Sequence, residues 1–389
     1  MYSLYQNSGS SSFSDTDIDA LKQWTDDERR NICLTFFIDS QNLQIALCPL
    51  NQTKKAIYIP PKPVNCANDV KSNYESLRTT FARNNCIVVY STMSFAGPIT
   101  QDYVVITNWQ CDAKDRVIHF TSLPFDLFPL DRRRFMNDLE AASYGLLAKS
   151  MRANSLESIF QPFWETKSEI SLNDTSCVIL IGDGFGVSYI CRNDSTSSEQ
   201  NCVVSSEAGH SQCYICGFND PNYKNERDLI KFISDKLYCG SHQPEWEDMC
   251  SFRGAELIFE FLKKQQNIDC DTNVYKYNKI RELAINGERD ALEAFKIHYK
   301  FIMRAAQVMC LGVRSKRVFI ISDAQVKNSV LIRYFSDELK STFCDHPRSE
   351  WFQNITVYGQ VVSSQFGLSG GLFLSNIFAA TVKEFSHNM

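Results

Sequence analysis

Glycine is scarce in this chain, at 16 of 389 residues, about 4% where about 7% is usual. Few positions are left where backbone amides can be approached without an intervening side chain. A cationic excess is missing as well: 40 Lys and Arg face 45 Asp and Glu, for a net charge of -5 and a pI near 5.8. That balance excludes nucleic acid or an anionic membrane as the main partner, because both need a basic surface. No apolar run approaches the roughly 20 residues of a membrane span. The opening M-Y-S-L-Y-Q-N-S-G-S-S-S-F-S-D-T-D reads as neither the basic region nor the apolar run of a secretory signal, and the closing S-H-N-M is no peroxisomal address. A secreted framework of paired cysteines is lacking too: the 15 cysteines stand mostly alone in apolar segments, as Cys86, Cys177 and Cys310 do. They read as buried free thiols in a reducing cytosol, so a cytoplasmic protein is expected.

What is present is an ordinary globular composition, 44% hydrophobic and 22% charged. At this length two domains suit the chain better than one. Residues 1–18 are Ser-rich and polar and are expected to be disordered. Residues 32–47 read as two β runs joined by a turn containing Asp39, Gln41 and Asn42. Helical spacing follows over 67–84, then a buried strand over 86–93, a Gly97-Pro98 turn and a strand ending in Thr107-Asn108-Trp109. Residues 178–190 predict strand, Gly-rich turn and strand. Helices are expected over 226–237, 254–264 and 288–311, the last with Leu292, Phe295, Tyr299, Ile302 and Met309 along one stripe. A short buried strand over 317–321 precedes a helical stretch through Leu339, and a Gly-cushioned turn from Gly367 opens a final amphipathic helix. No repeat appears at solenoid periods. Early strands in a meander and later strands alternating with helices predict an α/β chain with mixed sheets, arranged as two lobes facing one cleft.

Several segments carry side chains suited to chemistry. Phe135–Lys149, F-M-N-D-L-E-A-A-S-Y-G-L-L-A-K, holds the amide of Asn137 and the carboxylate of Asp138 where a strand hands over to a helix. A carboxylate there can take a proton from a substrate hydroxyl or simply cap the helix, and spacing alone leaves both roles open. Asn108 ends a predicted hairpin, where its amide can bond hydroxyls or serve only the turn. Glu207 and His210, three apart in S-S-E-A-G-H, can grip neighbouring hydroxyls or stand solvated in a loop. Glu247, in E-W-E-D-M-C-S, can hold a ligand or cap a helix. His210, Cys213 and Cys216 are the residue types of a zinc site. Their spacing is short and no fourth ligand follows within about twenty residues, which favours buried cysteines.

Taken in chain order, these segments resemble bacterial-type glucokinases, including protist forms, of the hexokinase and actin-like sugar kinase superfamily. The resemblance spans residues 32–385. It implies a two-lobed, actin-like (ribonuclease H-like) α/β fold with mixed sheets and a central cleft. The smaller lobe would cover 19–136, joined again by a final helix over 371–389, and the larger would cover 137–370. Glucose and a nucleotide are the implied partners, with ATP and Mg²⁺ in the reaction, and a homodimer is allowed. Asp138 would be the general base on the sugar 6-hydroxyl, and Asn108, Asn137, Glu207, His210 and Glu247 would hold the sugar.

The nucleotide side departs from the family's pattern. A hairpin of Asp-x-Gly-Gly-Thr type is reduced to Asp39-Ser40-Gln41-Asn42, which keeps Asp39 as the implied Mg²⁺ contact through water. The second hairpin, Gly182-Asp183-Gly184-Phe185-Gly186, retains its glycines but carries Asp183 where a Thr hydroxyl would face phosphate. The turn expected at the adenosine, Ser322-Asp323-Ala324, lacks its glycine pair, and Phe252-Arg253 stand where small residues are usual. Asp183 beside a triphosphate is expected to weaken nucleotide binding unless Mg²⁺ lies between them. The expected function is ATP-dependent phosphorylation of glucose. The alternative is a sugar-binding relative with little or no phosphotransfer, acting as a sensor or interaction protein.

Overall fold

The computed structural model describes residues 15–39, 41–151, 155–166, 169–192, 201–268 and 274–387. Two compact units divide the chain, one of residues 1–151 and 365–389, the other of residues 152–364.

In the first unit β1 (Ile32–Ile38), β2 (Asn42–Pro49) and β3 (Ile57–Pro63) form an antiparallel meander, and β4 (Val88–Phe95) lies parallel to β1. A separate ribbon pairs β5 (Tyr103–Val105) with β6 (Val117–His119). Beside β4, and parallel to it, runs β7 (Arg133–Asn137), giving the order β3-β2-β1-β4-β7. The two-residue period of β1 explains why it reads as one apolar run. Ile32, Leu34, Phe36 and Ile38 enter one core, while Cys33 and Phe37 enter another with Leu368 and Leu372. Because both faces are covered, the run is apolar but for Thr35, whose buried hydroxyl accepts from Thr92 at 2.8 Å.

The final helix, Phe366–His387, begins before the glycines that the sequence suggests form a turn. They instead let two helices and a sheet approach. A Cβ at Gly370 would run into the carbonyl of Ala141, one at Gly371 into the hydroxyl of Thr35, and one at Gly145 into the carbonyl of Phe366. Helix Asp138–Ser150 and the final helix therefore pack together on the first sheet. This packing puts the unit boundaries after Met151 and before Gln365, where the sequence reading has 136/137 and 370/371. The disordered start expected over 1–18 also needs correcting. Residues 1–14 lie outside the described residues, but Asp15–Gln23 is 3-10 helical with a kink at Ile18, and Ile18 and Leu21 are buried in the first core.

The second unit repeats the pattern. Strand β8 (Phe160–Pro162) lies at one edge; β9 (Ser176–Ile181), β10 (Phe185–Cys191) and β11 (Cys202–Ser206) form a meander; and β12 (Arg317–Ile321) and β13 (Thr356–Gln360) run parallel to β9. The order is β11-β10-β9-β12-β13-β8. Helix Arg289–Val313 buries Phe295, Tyr299, Ile302 and Met309 as its stripe predicts. Within the core, Arg304 donates to both carboxylate oxygens of Glu226, at 2.7 and 2.9 Å. The helical stretch after β12 is broken into three pieces, Asp323–Lys327, Ser329–Tyr334 and Ser336–Cys344. The described cysteines are free thiols, and no described helix is long and apolar enough to cross a membrane. This is an α/β architecture with mixed sheets.

Candidate active site

In the first unit, β7 delivers Asn137 and Asp138 at the start of a 13-residue helix. The cap is Asn137, whose Oδ1 accepts from the Leu139 amide at 2.8 Å; Asp138 is the first helical residue and accepts from the same amide at 2.9 Å. Asn137 occupies the cap position, and Asp138, half-buried, follows it in the first turn. Asn108 lies in an exposed turn past β5, which ends at Val105 rather than continuing through Trp109. Buried Trp109 anchors that turn. A Cβ at Gly97 would strike the carbonyl of Val105, which explains the glycine in Gly97-Pro98.

At the first hairpin, Asp39 Oδ1 accepts from the amides of Gln41 and Asn42 at 2.8 and 2.7 Å, and Oδ2 accepts from Gln44 Nε2 at 3.3 Å. The missing glycines are thereby explained locally. A side-chain carboxylate closes the turn and occupies the amides that a glycine loop would offer to phosphate.

In the second unit Glu247 and the turn that ends at His210 lie against the other hairpin. The Gly182 amide donates to the Gly184 carbonyl at 2.9 Å, and the Phe252 amide, opening helix Phe252–Gln265, donates to the Gly182 carbonyl at 2.8 Å. Glu247 reaches over this tip: its Oε2 accepts from the Phe185 amide at 3.1 Å and lies 2.9 Å from where a Cβ on Gly184 would stand. The turn Ala208–His210 presses on the same place, since a Cβ at Gly209 would meet the Phe185 carbonyl. Asp183 is exposed at the tip, between half-buried Gly182 and Gly184, and half-buried Gly186 follows on β10.

His210 is oriented by a residue that motif reasoning passes over. Its Nδ1 lies 2.8 Å from Glu245 Oε2, and its Nε2 lies 3.9 Å from Glu207 Oε2. The hydrogen bond to Glu245, with Glu247 and Glu207 nearby, raises the His210 pKa above its ordinary value against the opposing effect of burial. Glu245 stands two positions before Glu247 in the same acidic segment, and that proximity is the one sequence signal for it. Arg253, which stands where a small residue is usual, donates to buried Asp248 at 2.7 Å, so its bulk is used rather than merely tolerated.

Ser322 caps helix Asp323–Lys327 by accepting from the Ala324 amide at 3.1 Å, and exposed Asp323 accepts from Ser363 at 2.5 Å. A capped helix start replaces the glycine turn there. Cys213 is buried and its thiol is pushed up to about 12 by burial; Cys216 is likewise raised to about 12, by burial and by Glu226. Among the described residues no group of three or more His, Cys, Asp or Glu side chains is placed to hold a metal ion.

Comparison with known proteins agrees over most of the chain. A family model described as glucokinase matches residues 45–375. "Glucokinase 1" of Trichomonas vaginalis is 28% identical over 374 residues, covering 93% of this chain and 97% of that protein. "Probable glucokinase 2" of the same organism is 27% identical over 353 residues, covering 90% and 93%. The solved structure of Balamuthia mandrillaris glucokinase, in complex with glucose, superimposes with a TM-score of 0.84 at 24% identity, covering 93% of this chain and 99% of that one, and so matches in fold. With the family model matching residues 45–375, well over half of its length, the chain belongs to the glucokinase family.

Proposed function

We propose that this protein is a hexose kinase that transfers the γ-phosphoryl group of ATP to the 6-hydroxyl of glucose. Asp138 takes the hydroxyl proton as that oxygen attacks, and Asn137, Asn108, Glu207, His210 and Glu247 hold the sugar's other hydroxyls. Backbone amides of the Gly182–Gly186 hairpin meet the phosphates, with Ser322 and Asp323 serving the nucleoside end. The observation that carries this reading is the Glu247 carboxylate on the Phe185 amide, at 3.1 Å. It ties an acid suited to sugar hydroxyls to the loop suited to phosphate, so acceptor and donor can be sensed at one point.

Magnesium would neutralise charge on the transferred group. Asp39 suits it as a hard oxygen donor, through water, because Oδ1 is engaged by turn amides while, among the described residues, Oδ2 accepts the long bond from Gln44. The free thiols of the described cysteines fit a cytoplasmic location.

A coupled assay with glucose and MgATP tests the reading, with Asp138→Ala as its control. Wild type should turn over, and the variant should lose about a thousandfold in kcat while binding glucose within about threefold. Equal turnover by the two would end the proposal.

A further inference from the structure

We propose that Glu245 is a positioning residue for His210: its carboxylate holds the imidazole by Nδ1 so that Nε2, together with Glu207, is presented to a hydroxyl of the sugar. This deepens the glucokinase reading above and rests on it. The bond itself is short, 2.8 Å, whereas the 3.9 Å from Nε2 to Glu207 is too long for a hydrogen bond. That spacing leaves Nε2 and the Glu207 carboxylate, whose side chain is 86% exposed, to be bridged by a hydroxyl rather than by each other.

Glu245 can act this way because its backbone is fixed. The Trp246 amide donates to the Ser211 carbonyl and the Cys213 amide to the Pro244 carbonyl, both at 3.0 Å, zipping the two segments together around the bridge of Gln212 with Glu245. The Glu245 amide donates at 3.0 Å to Asp248, which is buried and also accepts from Tyr238 and Arg253 at 2.7 Å. The carboxylate therefore starts from an immobile point, 35 residues from the histidine it orients.

A proton held on Nδ1 defines what Nε2 can do. In neutral imidazole it accepts from a hydroxyl; in imidazolium it donates to one. The acids facing the ring are Glu207 on its own turn and Glu245 and Glu247 on the neighbouring segment, and all of them favour the protonated ring. Without Glu245 the ring is free to turn or change tautomer, and Nε2 is no longer aimed.

The test is Glu245→Gln, alone and combined with His210→Asn, in the full-length protein across pH 6 to 9. Glu245→Gln keeps an acceptor for Nδ1 but removes its charge, and should raise the glucose KM about fivefold, as exchange of a charge-assisted hydrogen bond for a neutral one does, with kcat within about twofold. The inflection in KM that disappears in His210→Asn should move to lower pH. In the His210→Asn background, Glu245→Gln should add less than about twofold. A KM effect of Glu245→Gln that persists without His210, or an unmoved pH profile, overturns the proposal. NMR titration of the His210 ring, assigned by the resonance lost in His210→Asn, reads the same pairing without turnover, and a midpoint unchanged by Glu245→Gln also overturns it. Absence of glucose phosphorylation by wild type would remove the glucokinase reading instead, and the titration would still decide the pairing.

Discussion

Each unit builds a meander of three antiparallel strands followed by two parallel ones, and each puts a hairpin tip between its first two strands. The two tips satisfy their amides in opposite ways. At the first, Asp39 bonds the amides two and three residues ahead of it, so the carboxylate is part of the turn. At the second, glycines shape the turn and the carboxylate comes from Glu247, 62 residues away on another element. A local acid cannot leave without opening its loop, whereas a distant one can exchange its amide for a substrate group at little structural cost. The contrast supports the proposal that phosphate meets the Gly182–Gly186 tip, while the Asp39 carboxylate also holds its own turn.

The sharpest way to break this assignment is to fill the second tip. Gly184→Val sets a branched side chain against Glu247 Oε2, 2.9 Å from the site of its Cβ, and should lower kcat/KM about a hundredfold, as small misplacements at a reacting site do. Gln41→Val, at the exposed position of the first tip, should cost about threefold or less. Similar losses in steady-state assays of the two variants would erase the difference between the tips.

Stability gives the next largest effect, with the order reversed. Asp39→Ala leaves two turn amides without their acceptor and should cost about 2 kcal/mol in urea unfolding. Glu247→Ala frees only the Phe185 amide and should cost about half that, while raising the glucose KM at least as much as Glu245→Gln does. An equal loss of stability in the two would mean that Glu247 is part of its turn after all.

Most of the fold is legible where one period dominates. β12 falls on the residues its apolar run marks, and Arg289–Val313 on its stripe, because burial on a face or on both faces leaves a pattern in the chain itself. The glycines from Gly367 onward are misread for the opposite reason. Glycine signals a turn locally, and nothing near it in sequence reveals that Thr35, Ala141 and Gly145 come against it. The same holds in the candidate site. Asp138, Glu207, His210 and Glu247 are visible as motif residues, but Glu245 matters only through a contact to His210, and Arg253 looks anomalous until Asp248 is seen beneath it. Ile18 and Leu21 show the same limit at the start of the chain, where two apolar side chains in a polar stretch suffice to dock a 3-10 helix.

Asp183 carries the smallest expected effect and the most informative sign. It is exposed at the tip to which phosphate is assigned, so its repulsion of a triphosphate is screened by water to about 1 kcal/mol at contact distances. Asp183→Thr should therefore lower the KM for ATP about fivefold, and the gain should shrink as ionic strength rises and the Debye length falls. The Asp39 tip offers no equivalent, since Oδ1 of its acid holds the turn amides and removing it weakens the fold before it helps a nucleotide. A rise in the KM for ATP in Asp183→Thr would reverse the reading of this residue: the carboxylate would then be serving the magnesium that accompanies the nucleotide.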